Sequence, residues 1–213
     1  MPERSPMKIV ILDRDGTINE GRDDYVKTAD EWYPLAGALD AIARLHQAGW
    51  HVVVATNQSG LGRGLFDMAT LNAMHLKMNE ALARLGGRVD AVFFCPHAPE
   101  DGCECRKPRP GLFTQIGRRY GVELAGVPTV SGTLRHLQAG VAAGCQPHLV
   151  RTGHSADLDA AGLQELRAQV PGLVVHEDLA AFADTLLIGH HRKVGEPRSK
   201  PAGEAVARLA DPL

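Results

Sequence analysis

The sequence predicts an α/β protein, a three-layer Rossmann-like sandwich around a mostly parallel sheet. Three observations lead there. Short apolar runs alternate along the chain with longer amphipathic stretches, the order of β/α units. The apolar runs are rich in β-branched residues and lack strict alternation, as strands do when both faces are covered. Gly49, Gly121 and Gly144 directly follow stretches that read as helices, where a left-handed cap favours glycine.

In chain order, strands are expected at Lys8–Leu12, His51–Ala55, Ala91–Phe94, Pro128–Val130, His148–Val150 and Leu173–Val175. Helices are expected at Gly37–Ala48, Ala69–Leu85, Gly111–Tyr120, Leu134–Ala143 and Asp178–Leu187. In the first helix Leu39, Ile42, Ala43 and Leu45 fall on one face. The insertions after the first two strands are short, so no large cap domain is expected over the sheet. Residues 1–7 read as an N-terminal tail and 8–187 as one domain. Residues 188–213, polar and punctuated by Gly and Pro, read as a flexible C-terminal tail.

The chain has 213 residues and a formal net charge of −2, which argues against the basic footprint of a nucleic-acid binder. It has no apolar run of membrane-spanning length, and its first residues lack the apolar stretch of a secretory signal. A cytoplasmic protein, apart from membranes and monomeric, is expected. Three of its four cysteines crowd into residues 95–105, which in a reducing compartment favours metal over disulfide. Cys95, His97, Cys103 and Cys105 form a C-x-H-x₅-C-x-C set, and three thiolates plus an imidazole suit tetrahedral Zn²⁺. Such a site would pin a loop of little apolar content and aim the adjacent Arg106 and Lys107. The competing reading is free thiols beside a chance histidine. Cys145, in an apolar context, reads as a small buried hydrophobe.

The chemistry concentrates at strand ends. The run Lys8–Thr17, KIVILDRDGT, ends an apolar strand in Asp13 and Asp15. Open α/β sheets bind ligands at the carboxyl ends of their strands, and a carboxylate there can attack phosphorus. The second strand ends in Thr56-Asn57-Gln58-Ser59-Gly60, whose hydroxyl, amide and backbone N–H groups suit a phosphoryl group. Arg106-Lys107-Pro108 adds a planar fork and a compact charge.

Together these elements resemble the haloacid dehalogenase superfamily of phosphohydrolases. Asp13–Thr17 is similar to its D-x-D-G-[TV] motif, Thr56 to the second-motif hydroxyl and Lys107 to the third-motif lysine. DRDGTIN with Asn19, TNQSG with Gly62-Arg63-Gly64, and the Cys/His loop running into CRKP resemble the heptose-bisphosphate phosphatase branch. Histidinol-phosphate phosphatases share much of the pattern. The resemblance implies a phosphorylated sugar substrate, D-glycero-D-manno-heptose 1,7-bisphosphate losing its 7-phosphate, on the way to lipopolysaccharide core sugars. It implies Asp13 as nucleophile and Asp15 as general acid and base. Thr56, Asn57 and Lys107 would hold the phosphoryl oxygens. Mg²⁺ would sit on Asp13 and the Asp15 carbonyl. Arg63, Arg106 and Arg135 are candidates for gripping a second anionic group.

One motif departs from the family. Val130-Ser131-Gly132-Thr133-Leu134-Arg135-His136-Leu137-Gln138 is similar to V-G-D-S-L-R-D-L-Q, with Gly132 and His136 in place of the two acids. Gly132 has no side chain to ligate a hard cation, and His136 is a poor Mg²⁺ ligand. Weakened Mg²⁺ affinity is expected, with a metal-hungry phosphatase, a different metal preference and a phosphosugar-binding pseudoenzyme as the competing outcomes. His136 is expected on a helix surface. Restoring both acids, Gly132→Asp with His136→Asp, is expected to raise turnover if the chain is a metal-hungry enzyme.

Overall fold

A computed structural model describes residues 7–195. Six parallel strands form one sheet: β1 (Ile9–Leu12), β2 (His51–Asn57), β3 (Ala91–Cys95), β4 (Pro128–Ser131), β5 (Gln146–Val150) and β6 (Val174–His176). Their spatial order is β3-β2-β1-β4-β5-β6. β1 therefore lies between β2 and β4, with Leu12 opposite both Val54 and Val130. The chain builds outward from β1 in one direction, then returns to build outward in the other. That reversal opens a crevice at the carboxyl end of β1, where such sheets bind ligands.

The helices are α1 (Ala38–Gln47), the single turn α2 (Ser59–Gly62), α3 (Met68–Arg84), α4 (Gly111–Tyr120), α5 (Leu134–Ala142), α6 (Ala160–Gln169) and α7 (Leu179–Gly195). Successive strand residues point to opposite faces, and both faces are buried. Val10, Leu12, Val52 and Val54 pack with Ile42, Leu45, Leu71, Met74 and Phe182 from α1, α3 and α7. Ile9, Ile11, Val53 and Ala55 pack with Leu112, Phe113, Ile116 and Ala139 from α4 and α5. This is the three-layer sandwich that the unbroken apolar strands predict. Cys145 is buried, as expected.

Several bounds differ from the sequence reading. β2 runs to Asn57, so Thr56 and Asn57 end the strand itself. α6 was not expected. It is capped by Asp159, whose side chain accepts from Gly162 N at 2.8 Å, but only Leu166 within it is buried, so its apolar pattern is faint. α7 runs past the expected end at Leu187 to Gly195, into the segment read as a tail. Residues 1–6 and 196–213 lie outside the described residues. Among the described residues no helix is long and apolar enough to cross a membrane.

Candidate active site

Asp13 is the first residue past β1. Its N–H donates to Val130 O of β4 at 2.9 Å, which extends the sheet by one bond and fixes the side chain at the crevice. Asp13 is 5 % exposed and its carboxylate collects four donors. Oδ1 accepts from Arg14 N at 2.9 Å and Lys107 Nζ at 2.8 Å. Oδ2 accepts from Ser131 Oγ at 3.0 Å and Thr133 Oγ1 at 3.1 Å. Burial alone would raise this carboxyl, but the Lys107 ammonium and the bonds to the charged form override it and hold it down at about 2.

Lys107 is equally buried, at 3 % exposure. Its three N–H groups go to Asp13 Oδ1, Ala55 O at 2.8 Å and His136 Nδ1 at 2.9 Å. Each of its protons is thus spent within the protein. Its backbone exchanges two bonds of 3.1 Å with the Asn57 side chain, which ties the Arg106-Lys107-Pro108 loop to the end of β2.

His136 is fully buried on the inner face of α5, not on the helix surface as the sequence reading had it. An ammonium only donates, so Nδ1 accepts from Lys107 and the imidazole is neutral. Nε2–H then donates to Thr129 Oγ1 at 2.8 Å. Burial, followed by the Lys107 charge, pushes the ring down to about 3. The 3.5 Å approach of Nδ1 to Asp13 Oδ2 is therefore a contact between two acceptors.

Asp15 accepts from Arg14 Nε and Nη2, both at 3.0 Å, from Asn19 Nδ2 at 2.9 Å and from Gln58 Nε2 at 3.0 Å. Arg14, only 1 % exposed, also donates to Gln58 Oε1 and meets His75 Nε2. Gln58 Nε2 also reaches Thr56 Oγ1 at 2.8 Å. Gln58, read as a donor to a phosphoryl group, here binds Asp15 and Thr56. Arg14 is a site residue that sequence reasoning missed. The signal was a long cation between two acids, which burial forces to pair with one of them.

Gly132 sits where an acid was expected, and the surroundings leave no room for one. A Cβ at this position would stand 2.3 Å from Thr152 O and 3.1 Å from Gly16 O. The loop after β5 fills that space. Thr152 Oγ1 donates to Gly16 O and Ser155 Oγ to Gly132 O, both at 2.7 Å. Gly153, at φ +56°, lies so close to Gly16 that a Cβ on it would stand 2.6 Å from the Gly16 Cα. The expected gain from Gly132→Asp with His136→Asp therefore meets backbone that must first move.

One cleft is lined by Asp13, Asp15, Thr56, Asn57, Lys107, Thr133, Arg135 and His154. It brings together the two acids, the strand-end pair and the lysine expected from sequence. A neighbouring cleft shares Lys107 and Arg135 with it and adds Arg106 and Arg109. Arg63 lines neither; it pairs with Glu100 at 3.2 Å on the surface.

Beside these clefts the ligand atoms of Cys95, His97, Cys103 and Cys105 all lie within 4.8 Å of one another. The three Sγ–Sγ and Sγ–Nδ1 contacts that link them around Cys103 and Cys105 span 3.3–3.5 Å. The donor set and spacing fit a tetrahedral Zn²⁺. Gly62 of α2 packs directly on this loop, its N–H donating to Pro96 O at 2.8 Å. Arg106 Nη1 reaches His97 O at 3.4 Å, so the loop does hold that cation.

Fold and site together define a phosphatase of the haloacid dehalogenase class. A model of the polynucleotide kinase 3 phosphatase family matches residues 8–161. A D-glycero-beta-D-manno-heptose-1,7-bisphosphate 7-phosphatase from Bordetella bronchiseptica is 59 % identical over 182 residues, 85 % of this chain and 98 % of that protein. One from Pseudomonas aeruginosa is 50 % identical, over 84 % and 97 % respectively. The crystal structure of D,D-heptose 1,7-bisphosphate phosphatase from B. bronchiseptica, complexed with magnesium and phosphate, superposes with a TM-score of 0.80 at 57 % identity, covering 86 % of this chain and 99 % of that one. The chain belongs to this heptose-bisphosphate phosphatase family of the haloacid dehalogenase superfamily.

Proposed function

We propose that this chain removes the 7-phosphate from D-glycero-D-manno-heptose 1,7-bisphosphate by way of an aspartyl-phosphate on Asp13. The observation that carries the reading is the Asp13 carboxylate, kept ionised by Lys107 at 2.8 Å and facing a cleft shared with Thr56 and Asn57. The names of relatives at 50 % identity and above supply the substrate. In the first step an Asp13 oxygen bonds to phosphorus and the ester P–O bond to the sugar breaks. Asp15 acts as general acid only in its carboxylic-acid form, so it takes up a proton from solvent as the substrate binds, gives it to the leaving oxygen, and as the resulting carboxylate takes one back from the water that cleaves the aspartyl-phosphate. All four donors on Asp13 cannot stay during attack. Thr133, the least buried of them, turns from Oδ2 to a phosphoryl oxygen. Lys107 neutralises the nucleophile and gives no proton to the substrate. Arg106, Arg109 and Arg135 form a cationic neighbour cleft suited to the second phosphate.

Of the two cations the family resemblance implies, zinc fits and magnesium does not. Cys95, His97, Cys103 and Cys105 would hold zinc, which would stiffen the loop that carries Arg106 and Lys107. Gly132 contributes no ligand, His136 spends its acceptor on Lys107 at 2.9 Å, and Asp13 would face a cation only after giving up one of its donors. No step here passes through Mg²⁺. The reading extends to a cytoplasmic enzyme of lipopolysaccharide heptose precursor synthesis.

A second reading, phosphosugar binding without turnover, is favoured by the 2.3 Å approach of Thr152 O to any side chain at position 132. Phosphate release from the bisphosphate and from histidinol phosphate, measured side by side, decides. Release from the bisphosphate supports hydrolysis; binding of it with no release supports the second reading. Preferential release from histidinol phosphate would reassign the substrate.

A further inference from the structure

The charges at this site are already balanced. Asp13 is paired with Lys107 at 2.8 Å and Asp15 with Arg14 at 2.9 Å, two carboxylates against two cations. His136, the third member of the buried cluster, is an acceptor that brings no charge, since Lys107 donates to it. A hard dication needs several oxygen ligands and an excess of negative charge. Here it would find one carboxylate, Asp13, which must first give up a donor among Arg14 N, Lys107, Ser131 and Thr133 before an oxygen faces the metal. Position 132, on the other side of the crevice, is closed to any side chain by Thr152 O.

Beyond the balanced pairs the cleft is cationic. Arg135 lines it, and among the described residues no carboxylate lies within ion-pair distance of Arg135. A phosphoryl dianion entering the cleft therefore meets positive charge supplied by side chains.

We infer that the phosphoryl site of this chain binds its anion without a divalent cation, with Lys107 as the resident countercharge of Asp13. The inference rests on the reading of this cleft as a phosphoryl site and goes beyond it. It separates the chain from the magnesium-complexed relative and makes Gly132 and His136 parts of a working arrangement.

The test uses the full chain, freed of loosely held cations on a chelating resin, with zinc content checked so that the Cys/His loop is constant. Inorganic phosphate is titrated calorimetrically with and without Mg²⁺ in the millimolar range. Affinities within about twofold of each other are expected, against the roughly tenfold or larger gain that a bridging hard cation would bring. Mn²⁺ titration followed by electron paramagnetic resonance, with phosphate present, should leave the free-ion signal undiminished. A saturable gain with Mg²⁺, or one Mn²⁺ bound per chain and lost in Asp13→Asn, would overturn the inference while sparing the phosphoryl site. Phosphate that binds under neither condition would remove the phosphoryl-site reading itself, and the inference with it.

Discussion

Lys107 Nζ lies 2.9 Å from His136 Nδ1, so a neutral imidazole fills the place beside the buried lysine where the family motif puts an acid. Because the ring accepts without adding charge, Lys107 keeps its full attraction for Asp13. His136→Asp would put a second carboxylate against Asp13, where two like charges cannot both ionise cheaply. It also removes the edge-on contact with Phe113 at 5.2 Å. We expect a loss of about 2–4 kcal/mol in urea unfolding, in the range for breaking a buried polar network. An unchanged midpoint would show that the ring is replaceable.

Gly132→Asp is expected to destabilise the fold and not to restore a metal site. Its Cβ would stand 2.3 Å from Thr152 O, and overpacking of this kind costs about 1–3 kcal/mol. A lower melting temperature with no gain in Mg²⁺-dependent turnover is the predicted pair of results. Full stability with a saturable Mg²⁺ response would mean that the Thr152–Ser155 loop yields readily.

Much of this site was legible in the sequence because its parts end strands. Asp13, Thr56 and Asn57 follow or close apolar runs, and parallel pairing places those ends on one edge. What was hidden depends on contacts between distant loops. The backbone of Thr152 and Gly153 fills the space beside Gly132, and no local pattern announces that. His136 looked like a surface residue because α5 carries His and Arg side by side. Only the reach of Lys107 from another loop shows which one turns inward. Arg63 fails for a related reason: read as a grip for a second anionic group, it is drawn instead to Glu100 on the surface at 3.2 Å.

Removal of zinc should loosen the loop at Cys95–Cys105. The loop carries Arg106 and Lys107, so melting temperature should fall by several degrees and the Michaelis constant for the bisphosphate should rise, consistent with a structural zinc that contributes to folding. Elemental analysis should find about one zinc per chain. A purified chain free of zinc with the same stability and activity would leave the four ligands as an unmetallated cluster.

Stability should fall as the solution is acidified below neutrality, in part through His148. Burial, reinforced by neighbouring His176, pushes His148 down to about 4, and its Nδ1 meets His176 Nε2 at 2.9 Å. A histidine depressed in the fold binds its proton more readily when unfolded. Its contribution is complete above the unfolded value near 6.5 and is lost between there and about 4. The loss attributable to this residue is on the order of 2 kcal/mol. His136 and His75 are depressed by burial too and act in the same direction. His148→Gln should therefore flatten the pH dependence of unfolding without abolishing it; an identical slope would exclude His148 as a contributor.

Arg106→Ala should raise the Michaelis constant for the bisphosphate by about tenfold, the size of one lost charge-assisted contact. The effect on a heptose monophosphate should be much smaller. Equal effects on both substrates would take the second phosphate away from this cleft.

The most direct measurement is phosphate release from D-glycero-D-manno-heptose 1,7-bisphosphate by the wild-type chain and by Asp13→Asn, across a metal series that includes none. The wild type should release phosphate and the variant should not. Equal release by the two chains would show that Asp13 is not the group that takes the phosphoryl.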